Sequence, residues 1–229
     1  HVSMAEKLLI LQLSKLSNFI PDGGIWLNTQ RPEWNDANNA LVGYGVSMVT
    51  LYYLNRYILF INKVLRSVND TEFKMSVEVF DWFKDISEIY EKYSPVVSEM
   101  LDPVVRKTFV QELQKVFSNY RQKTYNKNSN GRKKIKVVDI INFNNLVLAH
   151  FESTISNNYK KSLYSAYNTI NIDSSNKINI TPLYSMLEGQ VSALSSGKVE
   201  PKNAIEVLNA LFESDIYQKE QNSFMLYPK

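Results

Sequence analysis

Cysteine is absent from the 229 residues. Disulfides, thiolate metal sites and cysteine nucleophiles are therefore excluded. Histidine is almost absent, with only His1 and His150. A histidine-rich metal site is not available, and no metal ligand set is predicted. His1 belongs to "HVSM", which reads as a remnant of expression. His150 lies in the apolar run "LVLAHFE" and reads as a core or boundary residue rather than a ligand or base. An excess of one charge is missing too: 26 Lys and Arg against 23 Asp and Glu leave a net charge of +3. A nucleic-acid binder would show a concentrated basic stripe, so nucleic acid is not an expected partner. The one basic run is Arg132-Lys133-Lys134 with Lys136, beside an Asn- and Ser-rich stretch ending at Gly131. It reads as a solvated loop tip.

Long hydrophobic runs are missing as well. No signal peptide or membrane span is evident. The most apolar stretch, 46–65, is interrupted by Asn55-Arg56 and Asn62-Lys63, and a membrane span tolerates charge at its centre poorly. It reads as a buried helix of a soluble protein. A membrane is not an expected partner, and the cytoplasm is the favoured compartment. The chain starts in the middle of a helical pattern and ends at "SFMLYPK" without an obvious terminal element. It is expected to be a piece of a longer protein, whose remainder would be its partner.

What the chain does have is helical spacing almost throughout. Leu8, Leu9, Leu13 and Leu16 share a face, with Pro21-Asp22-Gly23-Gly24 as a stop. Two adjoining stripes run along 46–67, one from Val46 through Tyr53 to Val64 and one from Leu51 through Ile58 to Leu65. Residues 76–93 carry Val77, Phe80, Phe83, Ile86 and Tyr90. Asp102 reads as a helix cap with Pro103 at the first helical position. Asp139 reads as the cap of a helix reaching about Ser156, and Tyr159 to Tyr167 as a short helix. "NIDSSNKINIT" reads as a turn-rich connector with some extended character. Thr181-Pro182 and Glu200-Pro201 each read as opening a helix. No strand with period 2 stands out. A chain of this length and 44% hydrophobic content can bury a sizeable core. The expected fold is all-α, with antiparallel helical hairpins forming a single domain over 1–229.

The chemistry-bearing stretch is "TQRPEWNDANNALVGYG", Thr29 to Gly45. One reading is purely local: Asn35 or Asp36 caps a helix, Pro32 stiffens the approach and Trp34 packs its ring. The other is carbohydrate chemistry. Cleaving a glycosidic bond needs a proton for the departing oxygen, which a carboxylic acid supplies. An aromatic ring packs on a sugar face, and amides bond hydroxyl groups. Glu33, Trp34, Asn35, Asp36, Asn38 and Asn39 bring these ingredients into one loop. A helix N-terminus favours ionised Asp36, so burial or Glu33 nearby would have to hold its proton.

"RPEWNDANNALVGYG" resembles the catalytic-acid loop of the cellobiose phosphorylase family and its relatives, glycosidases and phosphorylases built as an (α/α)6 toroid. That loop typically reads Asp-Trp-Asn-Asp-Gly-Met-Asn, with the second aspartate as general acid. The resemblance implies that Asp36 is the acid, Trp34 the sugar-contacting tryptophan and Asn35 a supporting amide. Glu33 replaces the first aspartate, and Ala37-Asn38 replace Gly-Met. Arg31 and Asn38 are further substrate contacts expected here. "QNSFMLYP" and "LYSAYN", Leu163 to Asn168, are similar to segments of a related group of large bacterial proteins.

A complete toroid needs more helices than the pattern provides, so the chain would supply a partial toroid. The expected activity is glycosidic cleavage with inversion, by water or by phosphate, on an oligo- or polysaccharide. This chemistry requires no cofactor. The second carboxylate, expected about 6.5–9.5 Å from the acid, is not assigned by the sequence. A partial toroid would expose apolar surface, which a homodimer could cover. The rival expectations are a non-catalytic helical scaffold and a glycan binder without turnover.

Overall fold

The computed structural model describes residues 2–28, 39–69, 71–94, 100–126, 131–172 and 176–228. Helix α1 (Met4–Leu16) opens on Ser3, whose hydroxyl accepts from the Glu6 N–H. The next residues do not simply end a helix. They form a tight hairpin, β1 (Phe19–Ile20) with β2 (Gly24–Trp26). Gly24 sits at φ +122, and a Cβ there would lie 2.7 Å from the Ser47 carbonyl oxygen. Only glycine allows both that backbone and that approach.

Strand β3 (Gly45–Ser47) pairs with β2 and passes without a gap into α2 (Met48–Ser67), where the Ser47 hydroxyl caps Thr50 N at 3.0 Å. Of the two apolar stripes predicted for this helix, the one from Leu51 through Ile58 to Leu65 is buried, whereas the other turns outward beyond Val49, leaving Tyr53, Phe60 and Val64 exposed. Strand β4 (Glu72–Ser76) leads directly into α3 (Val77–Lys92). Helix α4 (Pro103–Tyr125) starts as predicted, with Asp102 Oδ1 accepting from Val104 N and Val105 N. Strand β5 (Arg132–Lys136) leads directly into α5 (Val137–Asn157).

The hairpin β6 (Tyr159–Lys160) and β7 (Leu163–Tyr164) precedes β8 (Tyr167–Ile172) and β9 (Ile178–Pro182). Helices α6 (Leu187–Ser195) and α7 (Pro201–Glu213) follow, then β10 (Tyr217–Gln218) and β11 (Ser223–Phe224).

The all-α expectation, and with it the partial (α/α)6 toroid, is overturned. A five-stranded antiparallel sheet in the order β1-β2-β3-β8-β9 runs through the fold, and three two-stranded ladders accompany it. The physical reason is plain in β1 and β3. They are two and three residues long and buried at every position, so they carry no polar alternation. The segment from Tyr159 to Tyr167 is not a helix either. Lys161 and Ser162 have φ of 50 and 57, the turn geometry of a hairpin. Thr181-Pro182 does not open a helix but ends β9 at the sheet edge, where a residue without an N–H costs no ladder bond. Asp139 lies in the first turn of α5, whose cap is Lys136.

The basic run 132–136 is also a strand rather than a loop tip. It pairs with β4 along its whole length, from Glu72↔Lys136 to Ser76↔Arg132. Lys134 meets Glu72, and Lys133 Nζ is 2.8 Å from Asp81 Oδ1, while Ile135 points into the core. These exposed pairs contribute little to stability. The ladder's register depends instead on inward-facing Met75 and Ile135.

An aromatic cluster fills the centre. Tyr90 meets Phe109 at 5.4 Å, Phe143 at 5.9 Å and His150 at 4.9 Å between ring centroids. His150 Nε2 donates to the Tyr90 carbonyl oxygen at 3.1 Å. Burial lowers its pKa from the ordinary 6.5 to about 4, against the smaller opposing effect of that bond. The folded ring therefore stays neutral, while the unfolded chain takes up a proton below about pH 6.5. Its stabilising contribution is complete above pH 6.5 and is lost as the pH falls towards 4, about 3 kcal/mol in all. His150→Phe keeps the ring contacts and is expected to flatten urea-unfolding stability between pH 6.5 and 4. An unchanged slope would remove His150 as its source.

Among the described residues, no helix is long and apolar enough to cross a membrane. Helix α7 leaves Ile205, Leu208 and Phe212 at 61%, 49% and 53% exposure on one side.

Candidate functional site

Arg31, Glu33, Trp34, Asn35, Asp36 and Asn38 all lie outside the described residues. The structure describes the chain up to Asn28 and again from Asn39. Those two ends are held close to the sheet. Leu27 N donates to the Gly45 carbonyl at 2.9 Å, and Gly43 N donates to the Leu27 carbonyl at 2.7 Å. The Trp26 indole N–H donates to the Gly43 carbonyl at 3.0 Å, which fixes the ring against this junction.

A groove of about 580 Å³ opens here, between α1, β2, α3 and α4. Its aromatic wall comes from three stacked rings. Trp82 lies 4.0 Å from Tyr120 and 5.3 Å from Phe117 between centroids, at interplanar angles of 15° and 16°. Trp82 itself is buried, and its N–H donates to Ser17 Oγ at 3.3 Å. Tyr120 and Phe117 therefore present the wall's open face. The Arg121 guanidinium stands 5.7 Å from the Phe117 centroid, within range of a cation–π contact. Trp26 and Tyr125 complete the aromatic lining from either side.

Amides line the rest of the groove. Asn28 Nδ2 donates to Asn18 Oδ1 at 2.6 Å, and Gln114 Nε2 donates to Ser17 O at 2.8 Å and to Asn18 Oδ1 at 3.2 Å. Asn18 in turn donates to the Ser14 carbonyl at 2.8 Å. The chain of donors orients all three amides. Burial pushes the Tyr120 phenol above its ordinary value of 10.0, so it remains a neutral hydroxyl. Two cations, Lys15 and Arg121, line the groove, and no carboxylate does among the described residues. No group of three or more His, Cys, Asp or Glu side chains suited to a metal ion occurs among the described residues.

This combination can stack an apolar ring face and bond several hydroxyls of a polar chain. Sequence reasoning did not find it. Tyr120 falls at helical spacing with Val105, Phe109, Leu113 and Val116 and reads as part of a core stripe, and Trp26 follows a Gly-Gly pair read only as a helix stop. The usable signal was Phe19-Ile20 and Ile25-Trp26 flanking Pro21-Asp22-Gly23-Gly24, which is hairpin chemistry. Glu152 on α5 and Glu188 on α6, by contrast, serve local roles. Glu152 pairs with Lys198 at 2.8 Å, and Glu188 accepts from the Tyr167 hydroxyl at 3.0 Å. No protein-family model matches the chain, and no curated protein matches it.

Proposed function

We propose that the chain is a carbohydrate-active module. The groove holds an oligo- or polysaccharide, Asp36 donates a proton to the departing glycosidic oxygen, and water or phosphate bonds the anomeric carbon from the opposite face and inverts it. Trp34 then offers a platform, and Glu33, Arg31, Asn35 and Asn38 assist the acid or hold hydroxyls. One observation carries the binding half: an aromatic wall and oriented amides line a groove that reaches Asn28, and residues 29–38 follow Asn28 directly. The chemical half is carried by the Glu33-Trp34-Asn35-Asp36 sequence.

A second reading, saccharide binding without cleavage, has its own support. The aromatic wall and the oriented amides can bind a saccharide without any carboxylate, whereas hydrolysis with inversion would need a second one besides Asp36.

Calorimetric titration with a panel of gluco- and xylo-oligosaccharides tests the binding half. Saturable binding is expected. Trp26→Ala should weaken it about tenfold, the loss of one ring contact. Tyr125→Ala, at a position 73% exposed, should weaken it several-fold without disturbing the core. Absence of binding to every saccharide in the panel would sink the proposal.

A further inference from the structure

We infer that a second site exists beside the turn of the β1–β2 hairpin, and that it takes a small neutral polyol of about monosaccharide size. It goes beyond the groove and does not rest on it. The cavity measures about 330 Å³ and lies between the start of α4, the end of α5 and strands β8 and β9. That is at the small end of ligand pockets, about 300–1,000 Å³, and suits one ring rather than a chain.

Asn168 lines this cavity and is 0% exposed. Its Nδ2 donates to the Gly23 carbonyl at 2.7 Å and to Asn158 Oδ1 at 2.8 Å. Asn158 is itself fixed, because its Nδ2 donates to the carbonyls of Asp22 and Thr154, each at 2.8 Å. Neither amide can be turned over without placing oxygen against oxygen. Asn168 Oδ1 is thus left buried with no donor. Such acceptors are rare in folded proteins, and each asks for a partner. The missing partner is a hydroxyl or N–H.

The buried charge next to it is already closed. Arg106 Nη2 lies 2.7 Å from Asp22 Oδ2 and 2.8 Å from the Leu101 carbonyl. Its remaining nitrogens donate to the Pro21 and Ile178 carbonyls at 3.0 and 2.8 Å. Asp22 also accepts from Leu101 N at 2.9 Å and Asn157 Nδ2 at 2.6 Å. No formal charge in this network asks for a counter-ion, so the ligand is neutral. At the mouth, Asp102 is occupied as a helix cap and Lys160 is exposed. Leu101, Ile180 and Pro182 give the cavity an apolar side, which suits the C–H face of a ring polyol.

The test follows the Asn168 side-chain amide by NMR while the chain is titrated with myo-inositol, glucose, glucuronate and inorganic phosphate. Saturable shifts with the neutral probes are expected, in the millimolar range. Met100→Trp fills the mouth from a residue 62% exposed and should weaken binding at least tenfold. Trp26→Ala, in the groove, should leave these shifts unchanged. Lack of saturation with both neutral probes would mean that water alone serves Asn168. Equal binding by Met100→Trp, or tighter binding of glucuronate or phosphate, would also overturn the inference.

Discussion

Arg106→Ala is expected to cost about 3–5 kcal/mol of folding stability. Arg106 is 3% exposed and makes four hydrogen bonds, to Pro21, Ile178, Leu101 and Asp22. Those bonds tie the turn of the β1–β2 hairpin to the edge strand β9 and the entry to α4. Removing the guanidinium leaves the Asp22 carboxylate buried without its counter-charge. It also takes the donor from three carbonyls. The cost measures that unpaired state, not the net worth of the pair, because desolvating two charges offsets much of their attraction. A second variant separates the two quantities. Arg106→Met combined with Asp22→Asn removes both charges and keeps volume, and should recover part of the loss relative to Arg106→Met alone. Urea unfolding followed by circular dichroism reads both. A loss below about 1 kcal/mol for Arg106→Ala would contradict a pair buried this deeply.

Asp36→Asn is expected to reduce saccharide turnover about 10²–10⁴-fold, the usual contribution of a general acid, and to leave saccharide affinity nearly unchanged. Asparagine keeps the size and hydrogen-bonding capacity of the side chain but has no transferable acidic proton. A substrate whose leaving group needs no protonation, such as a nitrophenyl glycoside or a glycosyl fluoride, should be spared most of the loss. This pattern distinguishes lost acid catalysis from a damaged site. Binding by the unmodified chain with no turnover of any saccharide would leave the second reading, glycan binding alone. Full turnover by the variant would remove Asp36 from the chemistry.

The helices were legible where a local rule was strong. Asp102-Pro103 announced α4 because a cap and a proline at the first position leave little else the chain can do there. The stripe from Leu51 to Leu65 announced α2 as a core helix, while the stripe beside it misled, because Tyr53, Phe60 and Val64 face outward. The strands were harder for specific reasons. β1 and β3 are short and enclosed, so hydrophobic alternation never had room to appear. In β5 four of five residues are charged, and only Ile135 turns inward, which disguised a strand as a loop. β8 and β9 were within reach. Ile170 and Ile172, and Ile178 and Ile180, recur at spacing two around an Asn- and Ser-rich turn, with Ile170 opposite Ile180 in the ladder. The groove could not be read because its rings come from β2, α3 and α4, and only folding brings them together. The stretch with Glu33 and Asp36, outside the described residues, stands out by its chemistry and its resemblance alone.

Three helices begin on the residue after a strand ends, at Ser47/Met48, Ser76/Val77 and Lys136/Val137. Such splices contain no slack, so a strand and its helix tilt as one lever. Trp82 rides on the lever that starts at β4, and its stack with Tyr120 reaches across to α4. The pairing of Glu72 with Lys136 therefore does more than close a hairpin edge: it gauges the span of the aromatic wall. A slip of that ladder by one residue would turn the inward residue of the slipped strand, Met75 or Ile135, outward and change the width of the groove without altering a single residue that lines it.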